Sequence, residues 1–409
     1  MSQTLLRGPA LLPRRSEPRF DLLPDALIEI EGGRITAIGP APPGCSTPNS
    51  HPGCVLLPGF VDTHLHFPQA RVIGSASGPL LEWLERSIFP EEARYADYAF
   101  ARVAAEDFCD KLVRQGTTCA SVYASSHPAS VQALFEAMHA RGLRGQVGLV
   151  LMDRGAPEAL LLPVGPAMDA CFELAARWHG RDGLAFCVTP RFALSCTPEL
   201  MAAAGRFAAE HRLPIQTHIS ENLAEIAATA EVFPEAGDYL AVYEAAGLVG
   251  PRTLLAHAIH LSEAEWGRVV QQRAAIAHCP DSNFFLGSGC MPLRAALNRG
   301  ARVGLGTDVG AGRSFSLRRV AASAYDASLV VGARVEPEEL LWLAGPGGAE
   351  AMGLGEVVGW LEPGMEADLV AVRCEGASAI YDQLLFQHDA PVVEATYVRG
   401  RRLNPRSAR

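Results

Sequence analysis

An α/β chain built as a (β/α)₈ TIM barrel, with a small β-sandwich domain assembled from the two chain ends, is the fold this sequence predicts. Three observations carry that expectation. Between residues 55 and about 344, short apolar β-rich runs alternate with stretches of helical periodicity, the repeat of a βα unit. The apolar runs number eight, centred on residues 55–61, 118–123, 146–152, 184–189, 215–217, 253–256, 274–277 and 302–306. Ionisable residues recur just beyond these runs, at the strand ends where barrels place their chemistry. A doubly wound open sheet is the competitor, weakened because no Gly-x-Gly-x-x-Gly turn follows any of the runs.

The chain ends come first. Ala26 to Ile30 and Ile35 to Ile38 read as two strands joined at Gly32-Gly33, a hairpin signal. A similar signature returns at Asp368 to Val372 and Val393 to Gly400. The expected division is 1–54 and 362–409 for the two parts of the small β domain, and 55–361 for the barrel. Prolines 9 and 13 with Arg14 and Arg15 interrupt the stretch a signal peptide would need. The most apolar window, residues 159–168, is short and broken by Pro163 and Pro166, which argues against a bilayer span.

Within the barrel region, Val131, Leu134, Phe135 and Met138 follow helical spacing until Gly142 stops them. Thr197-Pro198 supplies a cap and a first-position proline. Ser262 with Glu265 is a capping box. Ser220 is read as the cap of a helix that begins with Glu221.

Composition narrows the function classes. The chain has 409 residues, 49% hydrophobic and 20% charged, with net charge −10, as in a well-packed globular enzyme. No basic block is present, so a nucleic-acid backbone is not an expected partner and neither is a membrane, whereas a neutral nucleobase as small substrate fits. The ten cysteines are scattered with no Cys-x-x-Cys pair. Cys119, Cys187 and Cys279 fall in expected buried strands, a pattern that suits a reducing, cytoplasmic location.

The candidate chemistry is positional. His64 and His66 follow the first strand, on one face of an extended backbone. Arg191 follows the fourth strand, His218 ends the fifth, His257 the sixth, His278 the seventh and Asp308 the eighth. Single histidines of this kind are usually satisfied core residues; so many at the same end of different strands point to one site. His64, His66, His218 and Asp308 are assigned as ligands of one Zn²⁺ or Fe²⁺ per subunit, with room for a water. His257 is placed beside the metal, orienting and stabilising charge, or alternatively as a fifth ligand; His278 is left outside. Glu221 is the candidate general acid/base, a role compatible with a carboxylate simply complementing a helix start. Lys111 is the only lysine and lies within a helix. A carbamylated lysine bridging two metals at the end of the fourth strand is therefore absent, and a single-metal site follows.

With these residues in place the chain resembles the amidohydrolase superfamily, in its mononuclear deaminase branch, and within it the guanine deaminases. The likeness runs from about residue 27 to 402. It rests on Pro58 to Gln69, Leu80-Leu81-Glu82-Trp83-Leu84 with Phe89-Pro90, Thr189-Pro190-Arg191-Phe192, His218-Ile219-Ser220-Glu221-Asn222, Ala256-His257, His278 to Asn283 and Gly306-Thr307-Asp308-Val309-Gly310. The zinc cytidine-deaminase pattern of His-x-Glu with Pro-Cys-x-x-Cys is missing. The resemblance implies hydrolysis of guanine to xanthine and ammonia in a homodimer. It gives Glu221, His257 and Asp308 catalytic roles. It also implies that Arg191 binds the carbonyl edge, Gln69 a ring nitrogen and Phe192 the purine face, with Trp83 and its neighbours covering the pocket and His218 beside the substrate. Rival readings are deamination of 8-oxoguanine, a pterin, a triazine or an adenine derivative, and a scaffold without activity. Two departures stand out: Asp281 replaces a small neutral residue, and the segment between Val372 and Pro391 is short.

Overall fold

The computed structural model describes residues 3–374, 379–387 and 393–404. Gly32 and Gly33 take φ of +58° and +83°, which glycine does at little cost, and turn strand Phe20–Glu31 back along Arg34–Pro40. Apolar residues alternate inward along Phe20–Glu31, so Ala26, Ile28 and Ile30 are buried. The sheet they join draws on both chain ends. In spatial order it runs Arg401–Leu403, Val393–Val398, Leu369–Arg373, Cys54–Pro58, Thr4–Pro13, Phe20–Glu31 and Arg34–Pro40, with Asn49–Ser50 beside Thr4–Pro13. Its two wings share one core of Leu6, Ile28, Leu56, Leu369 and Tyr397. The edge strand is tied to chain leaving the barrel, through the Ile35 N–H to the Met365 carbonyl (2.9 Å) and the Gly364 N–H to the Ile35 carbonyl (2.8 Å).

The expected first barrel strand at 55–61 proves to be two strands. Cys54–Pro58 belongs to the terminal sheet, paired with Leu369–Arg373, and Phe60–His66 is the true first barrel strand. The continuous apolar run hid the break because both strands are buried on every side. The chain crosses between them at Gly59, where a Cβ would lie 2.2 Å from the Thr118 hydroxyl oxygen. The barrel begins there, a few residues after the expected boundary.

Eight parallel strands follow in simple order: Phe60–His66, Thr117–Tyr123, Arg144–Leu151, Leu184–Pro190, Ile215–Ile219, Thr253–His257, Ala275–His278 and Arg302–Leu305. Closure is made at the top of the ring. The Asp308 N–H donates to the His64 carbonyl (2.7 Å) and the His66 N–H to the Val309 carbonyl (2.9 Å). Sequential parallel neighbours with helices between them exclude the open doubly wound alternative.

The helices obey their local signals, with one correction. Pro128–Arg141 ends at Gly142 in the left-handed region (φ +74°). Thr197 caps Pro198–His211 by accepting the Leu200 N–H, and Ser262 and Glu265 form the capping box of Glu263–Gln271. Ser220, however, sits at φ +47° and starts no helix. Asn222 is the cap of Leu223–Val232, with Glu225 completing the box, so Glu221 stands free of the helix on the loop before it. Cys279 likewise lies just past its strand, ahead of helix Pro280–Phe285. Cys119, Cys187 and Cys279 are buried free thiols.

Glu158–Trp178 has the length and apolarity of a membrane span, but it is divided at 161–163 into a single turn and helix Val164–Trp178. Ala167, Cys171, Leu174 and Trp178 on that helix pack into the barrel core. The short segment after Val372 holds helix Ile380–Phe386; its parts at 375–378 and 388–392 lie outside the described residues.

Candidate active site

Strand ends deliver the ionisable side chains to one point, and the backbone there is unusual. His257, Ala258, Ser220 and Asp308 have φ of +72°, +51°, +47° and +48°, a region that costs non-glycine residues free energy and clusters at functional sites. His66 Nε2 lies 3.2 Å from His218 Nε2 and 3.2 Å from Asp308 Oδ1. His64 Nε2 lies 3.3 Å from the same Asp308 oxygen, yet meets no acceptor in hydrogen-bonding geometry. The ligand atoms of His64, His66 and His218 fall within 4.8 Å of one another, as do those of His64, His257 and Asp308. Buried imidazole nitrogens left without a partner and facing a carboxylate fit a cation, which would otherwise have to be replaced by costly unpaired polar atoms.

Protonation states agree with that reading. Burial pulls the His64 imidazole down to about 4 and the His218 imidazole well below its usual range, so both are neutral, the form that ligates a metal. Burial works to raise Asp308, but the adjacent imidazoles of His64 and His66 outweigh it and hold the carboxyl well below its usual range.

The rings are oriented from behind. His218 Nδ1 bonds the Arg191 carbonyl at 2.7 Å, which leaves Nε2 toward the cluster. The buried Tyr123 ring packs at 4.7–4.8 Å from those of His64, His66 and His218. His257 Nδ1 bonds Asn283 Oδ1 at 2.9 Å. Its Nε2 then falls between Glu221 Oε2 (3.4 Å) and Asp308 Oδ2 (3.8 Å), bridging the candidate acid/base to the candidate ligand. His278 is buried with neither ring nitrogen bonded and does not line the cavity.

Asp62 belongs to the site, though sequence reading passed over it. Its Oδ2 accepts the Thr307 hydroxyl (2.5 Å), while Oδ1 accepts the Thr307 N–H (2.9 Å) and the His64 N–H (3.2 Å). One carboxylate thus fastens the strand carrying His64 to the loop carrying Asp308. Its signal was its place two residues before His64 inside an apolar strand, where a charge has no business without partners. Asp62→Ala leaves three buried donors unmet, at about 1–3 kcal/mol each. We expect a stability loss of at least about 3 kcal/mol in urea unfolding, together with weakened metal retention; a variant as stable as the parent would remove Asp62 from this role.

Glu221 reaches the cluster beside His257. Burial, then the neighbouring charges of Asp308 and Glu225, push its carboxyl well above the usual carboxylate range, which suits a group that must donate a proton near neutral pH. Glu225 braces its backbone by accepting the Glu221 N–H (2.9 Å) and the Asn222 N–H (3.1 Å), and takes the Tyr239 hydroxyl at 2.5 Å.

Above the cluster is a cavity lined by polar and apolar side chains and open in part to solvent. Gln69, Trp83, Arg191, Phe192, His218, Glu221, His257 and Asp308 all line it, so every residue expected to meet substrate reaches one chamber. His66, Glu225, Leu80, Leu84, Leu286 and Ala311 complete the lining; Leu81 packs behind. Trp83 is fixed by its Nε1–H to the Ser75 carbonyl at 2.9 Å. The covering segment runs through helix Leu80–Trp83, a π turn at Leu84–Ile88 and helix Phe89–Ala93.

That last helix contributes Glu92, also missed from sequence. Its Oε2 accepts Arg191 Nη1 at 2.6 Å and its Oε1 accepts Gln69 Nε2 at 3.1 Å. The departure at Asp281 is resolved locally: its carboxylate receives the Arg313 side chain (2.5 Å), the Arg313 N–H (2.7 Å) and the Ser323 hydroxyl (3.3 Å). It clamps the loop beyond Asp308 rather than adding charge to the cavity.

Comparison with known proteins agrees with this geometry. The amidohydrolase family profile matches residues 55–403. Guanine deaminase of Escherichia coli K12 is 40% identical over 85% of this chain and 79% of its own. A probable guanine deaminase of Deinococcus radiodurans is 43% identical over 80% of this chain and 76% of its own. The solved structure of guanine deaminase from C. acetobutylicum, with guanine bound in its active site, superposes with a TM-score of 0.93 at 29% identity, covering 98% of this chain and 100% of that one. By barrel, strand-end residues and these likenesses, this chain belongs to the amidohydrolase family, among its guanine deaminases.

Proposed function

We propose that the chain hydrolyses guanine to xanthine and ammonia. One observation carries the reading: a metal-ready His/Asp cluster and the buried Glu221 carboxyl share one cavity with Arg191 and Gln69, two donors matched to a carbonyl and a ring nitrogen. The E. coli relative's activity and the guanine-bound homologue support the same substrate.

His64, His66, His218 and Asp308 would hold one ion per subunit, Zn²⁺ or Fe²⁺, with His257 close enough to support it. Such an ion supplies Lewis acidity that brings the pKa of a coordinated water to roughly 7 on zinc. The protein's own groups account for the rest. Arg191 and Gln69 fix the base in the plane, and Phe192, Trp83 and Leu84 wall it from bulk water. As the water oxygen bonds to the carbon bearing the exocyclic amine, Glu221 gives its proton to the ring nitrogen. Asp308 takes a proton from the attacking water, and His257, between the two carboxyls, stabilises the developing charge. The carbon–nitrogen bond then breaks: the proton held by Asp308 passes to the amine, which leaves as ammonia, the ring nitrogen keeps the proton it received, and the remaining hydroxyl proton restores Glu221.

Purine catabolism, a cytoplasmic location and a homodimeric state complete the proposal. The scattered cysteines, with no Cys-x-x-Cys pair, support the location. Metal-loaded protein incubated with guanine, 8-oxoguanine, adenine and cytosine should release ammonia from guanine fastest, and chelation should abolish the release. Turnover of another base without guanine would defeat the proposal.

A further inference from the structure

Arg191 and Glu92 form a buried ion pair, each side chain 3% exposed. The arginine has five N–H donors and no acceptor, and its guanidinium also lies 5.5 Å from the centre of the Phe89 ring. Glu92 and Phe89 come from the same helix, Phe89–Ala93, so one element seats the guanidinium at its end and on its face.

The same carboxylate governs Gln69. A glutamine amide has a donating and an accepting end, and in an open site either could meet the ligand. Here the choice is removed. The Gly310 N–H can only donate, and it holds Gln69 Oε1 at 3.2 Å. Glu92 Oε1 accepts from Gln69 Nε2 at 3.1 Å. Turning the amide over would set its oxygen against a carboxylate and its NH₂ against an N–H. The approach is close as well: a Cβ on Gly310 would lie 2.6 Å from the Gln69 carbonyl oxygen. What remains for the cavity is the second Nε2–H of Gln69 and the free N–H groups of Arg191.

We infer that Glu92 is a positioning residue that makes this wall of the cavity a donor-only surface, selecting bases that present acceptors there over their amino counterparts. The inference rests on the proposed guanine reading and sharpens its specificity. A base carrying a carbonyl and an unprotonated ring nitrogen satisfies both donors. A base carrying an amino group in the carbonyl's place sets donor against donor and leaves a buried guanidinium edge unmet, the kind of mismatch that gives strong discrimination.

The test compares metal-loaded parent and Glu92→Gln with guanine and with 2,6-diaminopurine, resolving KM from kcat and measuring metal content. The neutral amide can donate or accept, so it releases the orientation of Gln69 and loosens Arg191. We expect KM for guanine to rise roughly tenfold or more, kcat to change by less than about threefold, and metal content to stay constant. The kcat/KM preference for guanine over 2,6-diaminopurine should fall by roughly tenfold or more. A variant that keeps the parent's KM and preference overturns the role of Glu92 while leaving the guanine activity standing. A parent that does not turn over guanine overturns both. If Glu92→Gln does not fold, Glu92→Asp keeps the charge but shortens its reach by one methylene, and should shift KM and preference in the same direction by less; an Asp variant matching the parent in both also overturns the inference.

Discussion

Glu221→Gln is expected to lower kcat for guanine by roughly 10²–10⁴-fold, the usual range for removing a general acid/base, with metal content unchanged. The amide is nearly isosteric and cannot transfer the proton. Because Glu221 is buried and held toward the protonated form, the substitution removes no buried charge, so thermal unfolding should shift little. Its backbone is placed by Glu225, and the loop should keep its course. Metal analysis beside single-turnover kinetics checks the assignment. Loss of metal with the carboxylate would make Glu221 a ligand, and retained turnover would remove it from the reaction.

Arg191→Ala carries the second large effect, and it has two separable parts. Removing the guanidinium strands Glu92 as an unpaired buried carboxylate, and breaking a buried pair in this way costs about 3–5 kcal/mol. It also deletes the donors for the base carbonyl, so KM for guanine should rise far more than metal content falls. The paired change Arg191→Met with Glu92→Gln distinguishes the two. It should recover much of the stability, since neither charge is left alone, yet not the affinity for guanine. Urea unfolding and KM measured on both variants give the answer. Recovery of affinity along with stability would mean that Arg191 serves packing rather than the base.

Much of the site was legible because barrels concentrate chemistry at one end of their strands. His66, His218, His257 and Asp308 stand at or just past a strand end, and His64 lies within the first strand rather than after it; a periodicity reading finds such ends well. The residues that escaped it are those whose role depends on partners distant in sequence. Glu92 reads as one of two acids in a first helical turn, an ordinary exposed pattern. Its partners lie 23 and 99 residues away. Ser220 and Asn222 are equally good caps by residue type; the left-handed turn at Ser220, dictated by the loop that brings Glu221 to the cavity, decided between them. The break at Gly59 was hidden for a related reason. Cys54–Pro58 and Phe60–His66 are both wholly buried, so neither shows the alternation that marks a face.

By itself, then, the sequence determined the strand and helix periods, the terminal β segments, the turn at Gly32-Gly33 and the residue types of the candidate metal cluster, because each is written in spacing between near neighbours. Only the tertiary structure decided which sheet the run before Gly59 joins, that Asp62 fastens the strand carrying His64 to the Asp308 loop, and that Glu92 meets Gln69 and Arg191 at once. Those outcomes depend on which surfaces exclude water and which buried polar groups must find partners across the barrel. A charge in a linear chain carries no record of either.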